Sequence, residues 1–335
     1  MSPYNYEVLK KYIDLEKKRG NQIGVRRIFE KALEDLPFGR KEWTDYIYLW
    51  LDYAYFEEFE AKDIEKARGI YSRCTRLISR YGMFLFPEVW ISAAKLEINE
   101  SDFDKARTLL ESGIEKSPAR EIFQIYIEME FKLGHVIRCQ TLFMRYVQWS
   151  KDDDFCSWIE YTNFEKSQLN PNRARFIYDI AISQPALYKC RQLWDSYIDF
   201  EVSEGEFDKA RELFEILLKR TKNVNVWIKY ARFEAFMVKD VFHEKDVVKL
   251  DEKLKQNEEE IVDVETSIQR VRDIFRKGFD YFRSCEKPHV EEWARDILLK
   301  EWEILERGFG SFGDVNLVIE KASRLNRKNH GILLS

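Results

Sequence analysis

The chain has 335 residues, of which 45% are hydrophobic and 34% are charged, with a formal net charge of −5. Its 13 glycines and 7 prolines are too few for an all-β chain full of tight turns, and its negative charge gives no general attraction to phosphate backbones. The five cysteines do not have the spacing of zinc ligands, which indicates reduced thiols. The sequence contains no run of 18 apolar residues of the kind that crosses a membrane.

An eight-residue motif recurs along the chain and ends each time in glutamate. It begins with an aromatic or apolar residue, usually has tyrosine at its fourth position, and has an apolar residue before the glutamate. On an α-helix these positions share one face. The motif therefore predicts the first helix of a repeat. Its copies start at Leu9, Trp50, Trp90, Phe123, Trp158, Trp194 and Trp227.

A second motif follows each first one and carries an apolar stripe of helical period. The offset between the two is 16 residues in five of the first six copies, 17 in the second copy and 44 in the seventh. Sixteen residues are enough for one helix, a short loop and the start of another. The spacing predicts tandem helix pairs over residues 4–282 without β-sheet, with Asp102 or Asp208 as possible helix caps. The second motif starts at Val25, Ala67, Ala106, Cys139, Ala174, Ala210 and Val271.

The glutamate projects onto the face that should be buried, where an unpartnered carboxylate is costly. The second motif supplies an arginine beside its opening residue, and we expect each glutamate to bind such an arginine of its own or the adjacent repeat. The fourth repeat has Gln140 in place of this arginine, so Glu130 is expected to find another donor. The candidate pairs comprise Glu16, Arg26, Glu57, Arg68, Glu97, Arg107, Glu165, Arg175, Glu201, Arg211, Glu234 and Arg272.

The seventh repeat contains an insertion with its own apolar pattern. Residues spaced alternately three and four apart form a heptad seam that continues into the second motif at Val271. A single asparagine in such a seam typically sets register or oligomeric state. We expect a long helical insertion at 237–268 that packs on a lengthened first helix or binds a partner. The candidate partner-binding seam consists of Val247, Leu250, Leu254, Asn257 and Ile261.

The paired motifs resemble the HAT repeat of RNA-processing proteins. The segment YIYLWLDYAYFEEFEAKDIEKARGIY from Tyr46 resembles the crooked-neck family of pre-mRNA splicing factors, as do DIAISQP from Asp179 and LLKEWEILERGFG from Leu298. The resemblance implies an all-α, right-handed superhelical solenoid of HAT (TPR-like) helix pairs. We expect about seven repeats over residues 1–290 and capping helices over 291–335. Because members of the family have more repeats ahead of PYNY, the chain is expected to be a carboxy-terminal half.

The resemblance also implies a nuclear, non-enzymatic scaffold of the nineteen complex of the spliceosome, with Myb-type and HAT-repeat splicing factors as partners. Other HAT-repeat scaffolds serve in mRNA 3′-end cleavage or ribosomal RNA processing, and direct RNA binding is a further alternative. Any RNA contact should be weak, because basic spots such as Lys219 with Arg220 are short. The sequence has no HExxH and no glycine-rich phosphate loop. We therefore predict no catalytic residues, no cofactor, no metal, no membrane contact and no small-molecule substrate.

Overall fold

The protein is described by a computed structural model that covers residues 6–37, 40–82, 86–151, 153–221, 223–241, 258–283 and 288–322. Within these ranges all regular structure is helical and there is no strand. The chain divides into two compact units, Met1–Ser157 and Trp158–Ser335. The all-α fold predicted from the motif spacing is thus confirmed for the described part of the chain.

The first fourteen helices follow the two motifs in strict alternation, so that odd-numbered helices carry the first motif and even-numbered helices the second. Up to residue 157 the helices are α1 (Tyr6–Lys18), α2 (Gln22–Ala32), α3 (Arg40–Tyr55), α4 (Ile64–Tyr81), α5 (Pro87–Asn99), α6 (Phe103–Lys116), α7 (Arg120–Lys132) and α8 (Val136–Trp149). They continue with α9 (Phe155–Ser167), α10 (Pro171–Ser183), α11 (Arg191–Ser203), α12 (Phe207–Arg220), α13 (Val224–Val241), α14 (Glu258–Arg283), α15 (Pro288–Gly308) and α16 over residues 315–322.

Successive helices pack on one another, and first helices also contact first helices. In the first unit α5 packs on α4, on α6 and on α7; in the second unit α13 packs on α12, on α14 and on α15. Each repeat therefore buries its apolar stripe against its own second helix and against the neighbouring repeats, which is the arrangement of a helical-repeat solenoid.

In the turn between the two helices of a repeat, the backbone carbonyl of the motif glutamate accepts a hydrogen bond from a backbone N–H five residues later. The carbonyl oxygen of Glu97 accepts the backbone N–H of Asp102 at 2.8 Å, and Glu201 accepts that of Glu206 at 2.9 Å. Asp102 also caps α6, because its side chain accepts the backbone N–H of Lys105 at 3.2 Å. Asp208, the other predicted cap, is not one. It lies inside α12, whose N-cap is Glu206.

Replacing the capping residue should cost more than replacing its non-capping counterpart. Asp102→Ala removes the acceptor for the backbone N–H of Lys105, which typically costs about 1 kcal/mol. Asp208→Ala removes only an exposed ion pair to Arg211, worth about 0.5 kcal/mol or less. Urea unfolding of the two variants, followed by circular dichroism, measures the difference. Equal losses would contradict the assignment of the cap.

The extra residue in the second repeat is accommodated by a short π-helix, Phe56–Glu60. Its wider turn is closed by the backbone N–H of Ala61, which donates to the carbonyl oxygen of Phe56 at 2.9 Å. The insertion keeps Glu57 fully buried while Phe59 stays exposed. Such π-helical turns occur frequently at functional sites.

In the described part of the seventh repeat, both helices are longer than their counterparts in other repeats. α13 has 18 residues where α11 has 13, and α14 has 26 residues. Val264, Ile268 and Val271 are buried, in a helix that packs on α13. The basal part of the heptad seam therefore packs inside the chain. Ile261 lies in α14, whereas four members of the candidate seam lie outside the described residues: Val247, Leu250, Leu254 and Asn257.

Candidate functional site: repeat joints and a protein-interaction surface

A buried ion pair connects the second helix of one repeat to the first helix of the next. Arg26 of α2 donates from Nε and Nη2 to the two carboxylate oxygens of Glu57, in the π-helix that follows α3, at 2.7 and 2.8 Å. This bidentate geometry is the strongest form of a charge-assisted hydrogen bond. The arginine thus binds the glutamate of the following repeat and not its own. The same direction holds for Arg68 with Glu97, Arg107 with Glu130, Arg175 with Glu201, and Arg211 with Glu234.

A pair of stacked rings lies beside the ion pair in several of these contacts. Three residues after Arg26, Phe29 stacks on Tyr53 with ring centroids 4.8 Å apart and an interplanar angle of 9°. Ring stacking adds to the area that each contact buries. We call the combination of ion pair and ring pair the joint between two repeats. The same stacking is made by Tyr178 on Tyr197 at 4.6 Å and by Phe214 on Tyr230 at 4.7 Å.

The joint glutamates are buried, and the arginines keep only a small exposed fraction. Burial raises the pKa of the Glu201 carboxyl above its ordinary value, and the hydrogen bonds from Arg175 only partly offset this. Burial acts the same way on Glu130, but hydrogen bonds from Arg107 and His135 outweigh it and hold the pKa of Glu130 below its ordinary value. A charge in this position is therefore tolerated only because a donor faces it.

Gln140 does not leave Glu130 without a partner. As expected, Glu130 has other donors, since Arg107 of the third repeat and His135 each bind it at 2.6 Å. The glutamate that follows Gln140 along the chain is Glu165, and its carboxylate lies 3.1 Å from Nε of Arg173, in its own repeat. Helical periodicity could not show that the arginine of one repeat binds the glutamate of the next, and therefore that Gln140 affects Glu165.

Two further buried glutamates lie before and after those bound across the joints. Glu16 in α1 is held within its own turn, by Arg19 at 2.8 Å and by the side-chain amide of Asn21 at 2.7 Å. Glu306 in α15 binds Arg272 of α14 at 2.9 Å. The sequence motifs did not predict this glutamate.

Trp302 completes a joint between α14 and α15. Its ring stacks on Phe275 at 5.4 Å and 5°, and its Nε1–H donates to Glu306 at 2.9 Å. α15, assigned to the capping region, therefore makes the same joint contacts as the first helix of a repeat. Two features of the first motif are present in the sequence of α15: an apolar residue directly before Glu306, and an aromatic residue four positions before Glu306. Leu299 in place of the opening tryptophan obscured it.

The outward face of α3 differs from that of the other first helices. At the sixth position of the motif the other six copies have an exposed polar residue, and the second copy has Tyr55. Tyr55 is 58% exposed, and its ring lies 4.3 Å from that of Phe59. Tyr48, seven residues before Tyr55, shares this face and is also exposed. We call Tyr48, Tyr55 and Phe59 the aromatic face of α3, and exposed aromatic clusters of this kind mark interaction sites.

The described residues carry no sign of a metal centre, since no group of three or more His, Cys, Asp or Glu side chains among them could hold an ion. None of the described helices has both the length and the apolar content that a membrane crossing requires. The described side chains instead offer buried packing and ion pairs at the joints and exposed aromatic rings on the aromatic face of α3.

Comparison with known proteins agrees with these features. The family of the PRP39 N-terminal HAT repeat matches residues 88–234. The pre-mRNA-splicing factor CLF1 of Paracoccidioides brasiliensis is 37% identical over 94% of this chain and 44% of its own length. Crooked neck-like protein 1 of Homo sapiens is 33% identical over 93% of this chain and 34% of its own length. The pre-mRNA-splicing factor cwf4 of Schizosaccharomyces pombe is 31% identical over 92% of this chain and 44% of its own length.

The chain thus spans less than half the length of these relatives, while nearly all of it is matched by them. The kinship inferred from the segment at Tyr46 is confirmed. The chain belongs to the crooked-neck-like family of HAT-repeat pre-mRNA-splicing factors.

Proposed function

We propose that this chain is a non-enzymatic scaffold in pre-mRNA splicing, a protein-binding subunit of the nineteen complex that holds Myb-type and other HAT-repeat splicing factors in the nucleus. The kinship with proteins named as pre-mRNA-splicing factors supports the process. The observation that carries the binding role is the aromatic face of α3, an exposed ring pair at a position that is polar in the other repeats.

The division of labour within each repeat also supports a scaffold. The recurring motif residues lie in the joints, where the glutamates and aromatic rings are buried. Partner contacts must then come from positions that take no part in the joints, as is usual on the surface of a repeat protein. The aromatic face of α3 occupies such positions, and aromatic side chains are the residue type most enriched at binding hot spots.

Affinity capture tests this proposal. The tagged full chain is incubated with nuclear extract after nuclease treatment, and bound proteins are identified by mass spectrometry. We expect Myb-type and HAT-repeat splicing factors, with recovery of at least one of them reduced about tenfold by Tyr55→Ser with Phe59→Ser. Phe176→Ser, at an exposed aromatic residue of α10, is the matched control and should change nothing.

Other outcomes of the capture experiment would overturn the proposal. Recovery of 3′-end cleavage or ribosomal RNA processing proteins in place of splicing factors would assign the chain to a different process. If nuclease treatment abolished all recovery, direct RNA binding would replace the scaffold role.

The distal heptad seam, Val247 to Asn257, is proposed as a second partner-binding segment on its sequence pattern alone. α14 is described from Glu258 onward, and Val264, Ile268 and Val271 are buried in it, so a deletion of residues 244–257 leaves these buried residues in place. We expect the deletion variant to keep the helical content and melting temperature of the parent while losing at least one captured splicing factor. Unfolding would show that the segment belongs to the core, and unchanged capture would show that it binds no partner.

A further inference from the structure

The aromatic face of α3 carries two carboxylates among its rings. Asp45, Tyr48, Asp52, Tyr55 and Phe59 follow one another at alternating spacings of three and four residues, which places them on one side of the helix. Phe59 lies in the π-helix that continues α3, and its ring still reaches that of Tyr55 at 4.3 Å. We call these five residues the acidic aromatic stripe.

The two carboxylates of the stripe are not neutralised by the part of the chain that the structure describes. Asp45 is exposed, and no described lysine, arginine or histidine lies within ion-pair distance of Asp45 or Asp52. Asp52 accepts a hydrogen bond from the hydroxyl of Tyr6 in α1, at 2.8 Å, which leaves its negative charge in place. A cation that approaches the stripe is therefore attracted by two charges.

Neighbouring side chains show how this surface binds a cation. The amine of Lys17 in α1 lies 2.6 Å from the carboxylate of Glu60 and 5.3 Å from the ring centroid of Phe56. In the second unit, the amine of Lys166 lies 5.5 Å from the ring centroid of Phe200, at the same two motif positions. Rings and carboxylates on this side of the first helices thus attract cations together, the rings through their quadrupole and the carboxylates through their charge.

The equivalent face of α11 is occupied by a lysine of the following repeat. Lys229 of α13 donates to Asp195 at 3.0 Å and to Asp199 at 2.9 Å. Asp199 has the motif position that Tyr55 has in α3, and the residue of α5 that corresponds to Lys229 is the uncharged Ser92. The third repeat therefore offers no such lysine to the ring of Tyr55.

The combination of rings and carboxylates suits arginine better than lysine or RNA. A guanidinium is planar, stacks on aromatic faces and can donate two parallel hydrogen bonds to one carboxylate. Asp45 and Asp52 are seven residues apart, about 10.5 Å along the helix, which an extended peptide covers in three residues of about 3.4 Å each. The same carboxylates repel phosphate groups, which disfavours a nucleic acid.

We propose that the acidic aromatic stripe binds an extended, arginine-containing segment of a partner protein. One guanidinium stacks on the ring pair of Tyr55 and Phe59 and donates to Asp52. A second guanidinium, three residues away in the segment, binds Asp45 beside the ring of Tyr48. This inference rests on the proposed function and adds the chemistry that the aromatic face of α3 recognises.

The probe is a labelled peptide of four arginines, each followed by two glycines, and fluorescence anisotropy measures its binding to the full chain at physiological salt. We expect Tyr55→Ser with Phe59→Ser to weaken binding about tenfold, and Asp45→Asn with Asp52→Asn to do the same. Asparagine keeps an acceptor for the hydroxyl of Tyr6. Circular dichroism checks that each variant melts as the parent does.

The matched control for the charge is Glu115→Gln with Glu121→Gln. It removes two exposed carboxylates outside the stripe, so the net charge changes by the same amount as in the aspartate variant. Its affinity for the peptide should be unchanged. Equal binding by the parent and both stripe variants, or equal losses in the aspartate variant and this control, would overturn the proposal.

Peptides with altered side chains test the guanidinium itself. Citrulline has the shape of arginine without its charge, and we expect the citrulline peptide to bind at least about tenfold more weakly. The lysine peptide should bind about threefold more weakly, because an ammonium group does not stack. If the citrulline peptide or the lysine peptide binds as tightly as the arginine peptide, the proposal is wrong.

Labelled oligouridine in place of the peptide provides a second arm. RNA binding that weakens in Tyr55→Ser with Phe59→Ser would assign the stripe to nucleic acid and overturn the proposal. The splicing role can fail separately. If capture recovers no splicing factor while the purified chain binds the arginine peptide, only the splicing role is refuted. If capture depends on the aromatic face but the arginine peptide does not bind, only the arginine chemistry is refuted.

Discussion

Arg175→Met is expected to lower the free energy of unfolding by about 3–5 kcal/mol at neutral pH, because it leaves a buried carboxylate without its partner. Nε of Arg175 donates to both oxygens of Glu201 at 3.0 Å, and Glu201 is fully buried. Methionine keeps most of the aliphatic bulk of the arginine, so the loss reports the missing charge and hydrogen bonds. Urea unfolding at neutral pH measures it.

The size of this loss should depend on pH in a defined direction. The pKa of Glu201 is already raised by burial, and removing Arg175 raises it further. A carboxyl whose folded pKa lies above its unfolded pKa favours folding below that value and loses this contribution as pH rises through it. The difference between Arg175→Met and the parent should therefore be largest near pH 7 and shrink toward about pH 5. A difference that grows on acidification would contradict the burial of an unpaired charge.

A double variant separates the charge from the packing. Arg175→Met with Glu201→Leu removes both partners and leaves an apolar contact, which is often neutral or stabilising relative to a buried ion pair. We expect it to recover most of the loss of the single variant. If the double variant is less stable than Arg175→Met, the loss in the single variant does not come from an unpaired buried carboxylate.

Trp302→Ala should cost about 3–5 kcal/mol, since it removes a large buried ring from the joint between α14 and α15. The ring of Trp302 stacks on Phe275 and its indole N–H donates to Glu306. Thermal unfolding followed by near-ultraviolet circular dichroism measures the effect. A loss below about 1 kcal/mol would mean that α15 is not packed as described.

Trp302→Phe is the matched control, because it keeps a ring for Phe275 and removes the hydrogen bond together with a smaller part of the ring volume. Glu306 retains donors in Arg272 and the backbone N–H of Asp314, so the cost should be near 1–2 kcal/mol, as is typical of a single lost hydrogen bond to a charged group. Burial raises the pKa of Glu306, and its hydrogen-bond donors together hold that pKa below its ordinary value. Losing one donor should therefore raise it.

The sequence predicted the helix pairs because a period of 3.6 residues, a constant offset and a recurring glutamate are all properties of single helices and short loops. It also predicted that the glutamates need arginines, since an unpaired buried carboxylate is costly. It could not show which neighbour supplies the arginine, because periodicity fixes a helix face and not the element that packs on it. For that reason the sequence could not show that Gln140 affects the donor of Glu165 and not that of Glu130.

The aromatic residues mark another limit of sequence reasoning. Buried Tyr53 and exposed Tyr55 lie two residues apart, and composition alone favours the core for both. The helix places them about 200° apart, and the π-helix that follows α3 could not be read from an offset of 17 alone. Comparing one motif position across the repeats would have identified Tyr55, since the other copies are polar there.

Amide hydrogen exchange of Arg175→Met at neutral pH shows whether nearest-neighbour joints hold the repeats together. In a repeat array a local defect lowers protection mainly in the units that share the broken contact. We predict a loss of protection in α10 and α11, with α1 to α4 and α14 to α15 unchanged. Uniform loss along the chain, or no loss in α10 and α11, would contradict the account.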